Sequence, residues 1–249
     1  MTLVQSEPKK IYIRVEAQPI TTAWIYRNET EGLISLSSDG STRYTIADKN
    51  LGATSTDTTS SDSYGYYYQW GNNYGFPNSW SVTTSYNSVN ASSYWPNNPY
   101  SDSTFRLLEN WETSYNTNLR WDATDTLVAR KWPCDTWFHV PTSSETQSII
   151  NLCTWMWISS ADIKTYIKLP LNWRKNYDGN VYEQWSWGYY WTSTTVYSSM
   201  YSNYSASTLQ AYSWWTVPWS SYGRWNWYWV RPFKNEAVQP DEWWTRLDA

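Results

Sequence analysis

The chain carries 22 Trp and 23 Tyr but only 4 Phe. Both favoured rings join a large rigid apolar body to an N–H or O–H, and such residues concentrate at recognition surfaces. Aromatics make up 20% of the sequence while the whole hydrophobic share is 41%, so aliphatic residues, Met and Cys supply only about half of the apolar content, well below ordinary globular usage. Surface use of the rings is therefore expected. With 16% charged residues and a mean hydropathy of -0.71, the filler between the rings is uncharged: Ser, Thr and Asn. Disorder is not expected, because disordered chains are charged and poor in aromatics.

Length and charge narrow the class further. The 249 residues suffice for one large domain with a real core, and no internal repeat or boundary divides them. A net charge of -4 provides no basic field for counterion release, so nucleic acid is not an expected partner. No apolar run approaches the ~18 residues of a membrane span, and the start MTLVQSEPKK lacks the apolar region of a secretory signal. Cys134 and Cys153 are close enough in sequence to pair, and two buried thiols are an equal alternative.

Short alternating pieces (IYIRVEA, TAWIYR, GLISLS) between Ile11 and Ser37 read as hairpin strands, with Pro19, Gly32 and Asp39-Gly40 as breaks. Thr54 to Ser63 is a solvated loop, and Gly71 to Asp102 is a long irregular stretch of the kind that is usually functional. Thr142 to Glu145 forms a T-x-x-E capping box that opens a helix with Ile149, Ile150 and Cys153 on one face. A second helix is expected around Tyr64 to Trp70, although a Tyr run also suits a strand. After Pro170 the chain reads as strands to its end, with Trp225, Trp227 and Trp229 on one face. The fold class is α+β: two helices, antiparallel sheets and long irregular loops.

Catalysis is not expected. His139 is the single imidazole, flanked by Phe138 and Val140 as at a strand end in a core. Glu109, Glu112, Asp122 and Asp125 cluster in sequence as a solvated face does, and Gln239-Pro240-Asp241 is a weak three-residue likeness to a calcium- and sugar-binding tripeptide. No metal or cofactor is expected.

The informative stretch is Tyr189 to Trp229, which holds fifteen Trp or Tyr and a single charge, Arg224. YSSMYSNYSAS and WTVPWSSYGRW set the rings among Ser, Asn, Gly and Pro, the vocabulary of antibody paratopes. The candidate ligand-facing residues are Tyr197, Ser199, Tyr201, Asn203, Tyr204, Tyr212, Trp214, Trp215, Trp219, Ser221, Tyr222, Trp225, Asn226, Trp227 and Tyr228. Trp191 and Val230 are the expected buried contrast.

Six segments occur in the order found in one fold family: ADKNLGAT (47–54), YYYQWGN (66–72), WPCDTWFHVPTSSE (132–145), KLPLNWRKNYDG (168–179), GYYWTSTT (188–195) and WVRPF (229–233). The chain resembles C-type-lectin-fold domains of the formylglycine-generating type. Within them it is most similar to the variable proteins of diversity-generating retroelements from uncultivated archaea related to Nanoarchaeota. The resemblance implies a single domain over 1–249, with N-terminal strands at 1–44, a scaffold at 45–188, an aromatic-rich variable region at 189–233 and a tail at 234–249. It implies a surface-exposed or exported protein that binds a protein or glycan, such as one on another cell. Variation would arise by adenine-directed mutagenesis, which joins Asn, Tyr, Ser and Thr codons. Trp is a departure, and either reflects other template codons or marks fixed scaffold. The alternatives within the fold are an oxidase of the formylglycine-generating type, whose late cysteine pair is missing after Cys153, and a carbohydrate-binding lectin with a fixed aromatic site. Calcium ligation there would need late carboxylates, and none lies between Tyr189 and Trp229.

A chain that folds without metal keeps its melting temperature in excess EDTA. A fall restored by calcium or copper would contradict that expectation.

Overall fold

A computed structural model of the protein describes residues 24–37, 43–77, 82–89, 100–107, 132–135, 137–171, 174–175, 181–182, 186–196, 205–224 and 226–235. In chain order the elements are β1 (Trp24–Asn28), β2 (Leu33–Ser37), β3 (Arg43–Ala47), a 3-10 turn (Ser61–Ser63), β4 (Tyr68–Gln69), β5 (Thr84–Ser85), β6 (Phe105–Arg106) and β7 (Phe138–His139). Then follow α1 (Ser143–Trp155), α2 (Ile163–Tyr166), β8 (Arg174–Lys175), β9 (Val181–Tyr182), β10 (Trp187–Val196), β11 (Ser205–Tyr212), β12 (Thr216–Gly223), β13 (Trp227–Tyr228) and β14 (Phe233–Lys234). The fold is α+β with two helices and antiparallel sheets; among the described residues the short β5/β6 pair and the bridge between Tyr190 and Trp229 are parallel.

Sheet order shows how the first and last described strands come together. The five-stranded sheet runs β1-β2-β3-β14-β7, so the last strand inserts between the N-terminal hairpins and β7, with Phe233 opposite both Ile46 and His139. A three-stranded sheet runs β10-β11-β12 and a four-stranded one β4-β13-β8-β9. The strands expected at TAWIYR and GLISLS are β1 and β2; the piece at 11–17 lies outside the described residues.

The capping box forms as its spacing requires. Thr142 Oγ1 accepts from the Glu145 amide at 3.1 Å, and Glu145 Oε2 accepts from the Thr142 amide at 2.7 Å. Helix α1 buries Ile149, Ile150, Leu152 and Cys153, and Ile149 and Cys153 share one core cluster with Leu209 and Ala211 of β11.

The helix expected at Tyr64 to Trp70 is not formed. Gly65 takes φ +75°, and a Cβ there would stand 2.2 Å from the Leu51 carbonyl oxygen, so the chain turns at Gly65 in a conformation other residues rarely adopt. Tyr67 then bridges Phe76 and β4 pairs with β13. The second helix is instead the single turn of α2. Within the irregular stretch from Gly71 to Asp102, the described part contains β5.

Two aromatic-rich clusters form the core. One gathers Ile25, Ile34, Ile46, Tyr67, Phe76, Trp227, Trp229 and Phe233 with the α1 face; the other gathers Tyr68, Trp70, Trp132, Tyr189, Trp191, Tyr228 and Val230. Their rings are tied by hydrogen bonds as well as packing. The Trp70 indole donates to the Thr192 carbonyl at 2.9 Å and the Trp191 indole to the Tyr68 carbonyl at 2.9 Å. The Trp132 indole donates to the Asn72 carbonyl at 2.6 Å, and the Tyr190 hydroxyl to the Pro170 carbonyl at 2.6 Å. Trp191 and Val230, the expected scaffold, are fully buried.

Arg231, also buried, joins three parts of the chain. Its Nε donates to Asn50 Oδ1 at 3.1 Å, Nη1 to the carbonyls of Ala47 (2.9 Å) and Ile167 (3.4 Å), and Nη2 to that of Lys168 (2.6 Å). Desolvation pulls its pKa down to about 10, which leaves it charged at neutral pH. Arg231→Leu strands these acceptors in the interior and should lower stability by on the order of 3 kcal/mol. The capping variant Thr142→Ala should cost only about 1 kcal/mol. Urea midpoints for the two variants check the order, and an equal or smaller loss at Arg231 would contradict the clamp.

Candidate aromatic binding edge

The tight connection between β11 and β12 places two indoles in solvent. Ala211 pairs with Thr216, leaving Tyr212, Ser213, Trp214 and Trp215 to make the turn. Trp214 is 62% and Trp215 51% exposed. The turn is fixed from behind: the Ser213 amide donates to the Ser186 carbonyl at 3.2 Å, and Lys164 of α2 donates from Nζ to the Ser213 carbonyl at 3.0 Å. Partial burial pulls the Lys164 pKa below its ordinary value.

Ring contacts connect this turn to the interior. Trp214 stacks on Tyr212 (6.2 Å between centroids, 18° between planes), Tyr212 meets Trp187 edge-on at 4.0 Å, and Trp187 stacks on Tyr189 at 5.8 Å. Tyr189 is fully buried and stacks on Tyr228 at 5.0 Å. The exposed ring of Trp214 is thus the outer end of a series anchored in the core.

Two further exposed indoles stand at the end of α1. Its first turn is held at Thr194 of β10 (Ser143 amide to Thr194 Oγ1, 2.9 Å), whereas the segment after it returns through Lys164 to Ser213. The C-terminal end of α1 is open to solvent. There Trp155 is 49% and Trp157 76% exposed. Trp157 also adopts φ +61°. The Ile158 amide bonds the Cys153 carbonyl and the Trp157 amide the Thr154 carbonyl, both at 3.0 Å, the pattern of a Schellman cap whose left-handed position is normally Gly. A bulky residue in that conformation is strained by about 1–2 kcal/mol. The sequence reading missed both residues; the trace available was the absence of Gly after the periodic run of α1.

The structure divides the residues expected to face ligand. Trp214 and Trp215 are exposed, and Tyr212, Ser221 and Tyr222 are half-buried. Tyr222 leans edge-on against Tyr189 and Tyr228 at 5.4 and 5.7 Å. Asn226, Trp227 and Tyr228 are corrected: they are 4%, 1% and 0% exposed. Trp227 stacks on Phe105 at 3.8 Å, Tyr228 packs beside Trp191 at 4.5 Å, and Asn226 Nδ2 donates to the Gly223 carbonyl at 2.8 Å. Strand β13 lies inside its sheet between β4 and β8, so both of its edges are paired, and the two core clusters cover its two faces. Trp227 and Trp229 do share one cluster and Tyr228 and Val230 the other, as their alternation requires. Tyr197, Ser199, Tyr201, Asn203, Tyr204, Trp225 and the side chain of Trp219 lie outside the described residues.

The residues weighed for chemistry are buried where described. His139 is buried between Asn235 Oδ1 (2.7 Å from Nδ1) and Glu145 Oε1 (3.2 Å from Nε2). Cys134 and Cys153 are free, buried thiols; burial pushes the Cys153 pKa up to about 12 and that of Cys134 well above its ordinary value. Glu109, Glu112, Asp122, Asp125 and Gln239 to Asp241 lie outside the described residues. Among the described residues no group of three or more His, Cys, Asp or Glu is placed to hold a metal ion, and no helix is long and apolar enough to cross a membrane.

No protein-family model matches the chain, nor does any curated protein or solved structure.

Relief of the cap strain gives a direct test of Trp157. Trp157→Gly should raise stability by about 1 kcal/mol, because glycine adopts positive φ freely. A lowered urea midpoint would mean that the indole makes packing contacts stronger than the strain.

Proposed function

We propose that this protein is a non-catalytic binding protein whose ligand, a protein or a glycan, docks on the indoles of the β11/β12 turn and of the α1 end. The observation that carries the reading is the exposed pair Trp214 and Trp215, of which Trp214 ends a ring series rooted in the core. Trp157 supports it independently, since an exposed indole at a position that favours glycine gives nothing to folding. Rigid Trp rings with hydroxyl neighbours stack on sugar faces and fill protein hot-spot pockets alike.

The scaffold is read as a C-type lectin fold and the chain as a variable protein of a diversity-generating retroelement, of the kind found in uncultivated archaea. In support, the six segments that carry the resemblance bond to one another. Asn50 and Lys168 meet Arg231, and the indoles of Trp70, Trp132 and Trp191 reach the carbonyls of Thr192, Asn72 and Tyr68. Burial then sorts the Trp that adenine mutagenesis does not readily produce: Trp191, Trp227 and Trp229 belong to the fixed scaffold. Variation is assigned to the turn residues and to positions 197–204, not to Asn226, Trp227 or Tyr228.

Two measurements test the proposal. The gene should lie beside a reverse transcriptase and a near-copy of the codons for residues 189 to 229 that differs at adenines; a locus lacking both sinks the retroelement assignment. On arrays of glycans and of cell-surface proteins, a variant with Trp157→Gly, Trp214→Ser and Trp215→Ser should keep the parent's urea midpoint within about 1 kcal/mol yet lose its captured ligand. Undiminished capture would place the binding site elsewhere.

A further inference from the structure

A second concavity is built by other elements. A cavity of about 320 Å³ opens between the β1/β2 turn, the segment 47–53 and the start of β7. Its polar wall carries four carboxylates, Glu29, Glu31, Asp48 and Asp135, against one ammonium, Lys49. Its apolar wall includes Leu51 and Phe138, which are partly buried and pack against the second core cluster.

Asp48 makes this more than an acidic rim. It is only 6% exposed, and its buried Oδ1 accepts no hydrogen bond within the protein. That oxygen lies over Gly32, another wall residue, where a Cβ would come within 3.2 Å of it. The Asp48 amide donates to the Gly32 carbonyl at 2.8 Å, which fixes the backbone of both. Arg231 feels the Asp48 charge but directs its hydrogen bonds to the oxygens of Asn50, Ala47, Ile167 and Lys168. A buried carboxylate oxygen without a donor destabilises the fold unless a ligand supplies one.

The spread of the acids selects the kind of ligand. They surround a cavity at the small end of ligand pockets without converging as a metal-holding group. This suits a cation larger than a metal ion, with several N–H donors and an apolar stem. We infer that the cleft binds an alkylammonium or alkylguanidinium group, its N–H donors on Asp48, Glu31 and Asp135 and its stem along Leu51 and Phe138. The group belongs either to a free amine or to a Lys or Arg side chain of a partner protein.

The test titrates the 15N-labelled full chain with n-butylammonium, n-butylguanidinium, butan-1-ol, calcium and N-acetyl-lysine methylamide, following the amides of Gly32 and Asp48 to Leu51. Both butyl cations should give saturable shifts, while the alcohol and calcium give none. Glu31→Gln and Asp135→Asn, both at the mouth, should each weaken cation binding several-fold, and Asp48→Asn should weaken it about tenfold or more. Tighter binding of the blocked lysine than of butylammonium assigns the site to a protein side chain, and the reverse assigns it to a free amine. Equal response to the alcohol, saturation by calcium, no saturable shift, or indifference to both mouth substitutions would overturn the inference. No indole of the β11/β12 turn is involved, so a failure there leaves this result unchanged.

Discussion

The buried guanidinium of Arg231 is the constraint around which the chain closes. A charge taken out of water has to be matched by oxygens, and four are supplied by parts of the chain far apart in sequence: Ala47 at the end of β3 with Asn50 beyond it, and Ile167 and Lys168 after α2. Lysine has three donors around a single point and does not span that set, whereas the planar fork of arginine does. With Arg231 seated, its neighbours follow on both sides. Trp229 exchanges backbone hydrogen bonds with Tyr189 and Trp191, and Phe233 enters the sheet beside β3.

The abundance of Trp and Tyr over Phe has its explanation in the interior as much as at the surface. Indole and phenol groups carry a donor at the end of a large apolar body, and here the donors of Trp70, Trp132, Tyr190 and Trp191 reach carbonyls in other parts of the chain. Because these strands are mostly two residues long, ladder hydrogen bonds alone hold them weakly, and ring donors act as cross-ties between them. Of the late aromatic stretch, Tyr190 and Trp191 make such ties, and Tyr189, Trp227, Tyr228 and Trp229 are buried beside them in the two core clusters.

What the sequence disclosed was local. The capping box, the N-terminal hairpins and the shared face of Trp227 and Trp229 depend on spacing along one segment, and spacing is written in the chain. Alternation says which side chains share a face but not whether the second face is covered. Tyr228 was therefore read as ligand-facing, although neighbouring strands enclose β13 on both sides. The run from Tyr64 to Trp70 has no period of its own, and its conformation is set by Gly65 pressed against Leu51 and by pairing with β13, both distant in sequence. Trp214 and Trp215 were legible because small polar residues and a hairpin turn surround them. Trp157 was not, because its exposure comes from the geometry of a helix end.

The ring series from Tyr228 through Tyr189, Trp187 and Tyr212 to Trp214 has an optical consequence. Tyrosine emission overlaps indole absorption, and consecutive centroids in the series are 4.0 to 6.2 Å apart, far inside the range of resonance transfer between such rings. Light absorbed by the buried tyrosines is handed to indoles, and one of the receiving indoles is Trp214 in solvent. A ligand that covers Trp214 changes the polarity around that emitter and therefore the colour and lifetime of fluorescence excited elsewhere in the molecule. The protein is in this sense its own label, with an antenna in the core and its lamp at the β11/β12 turn.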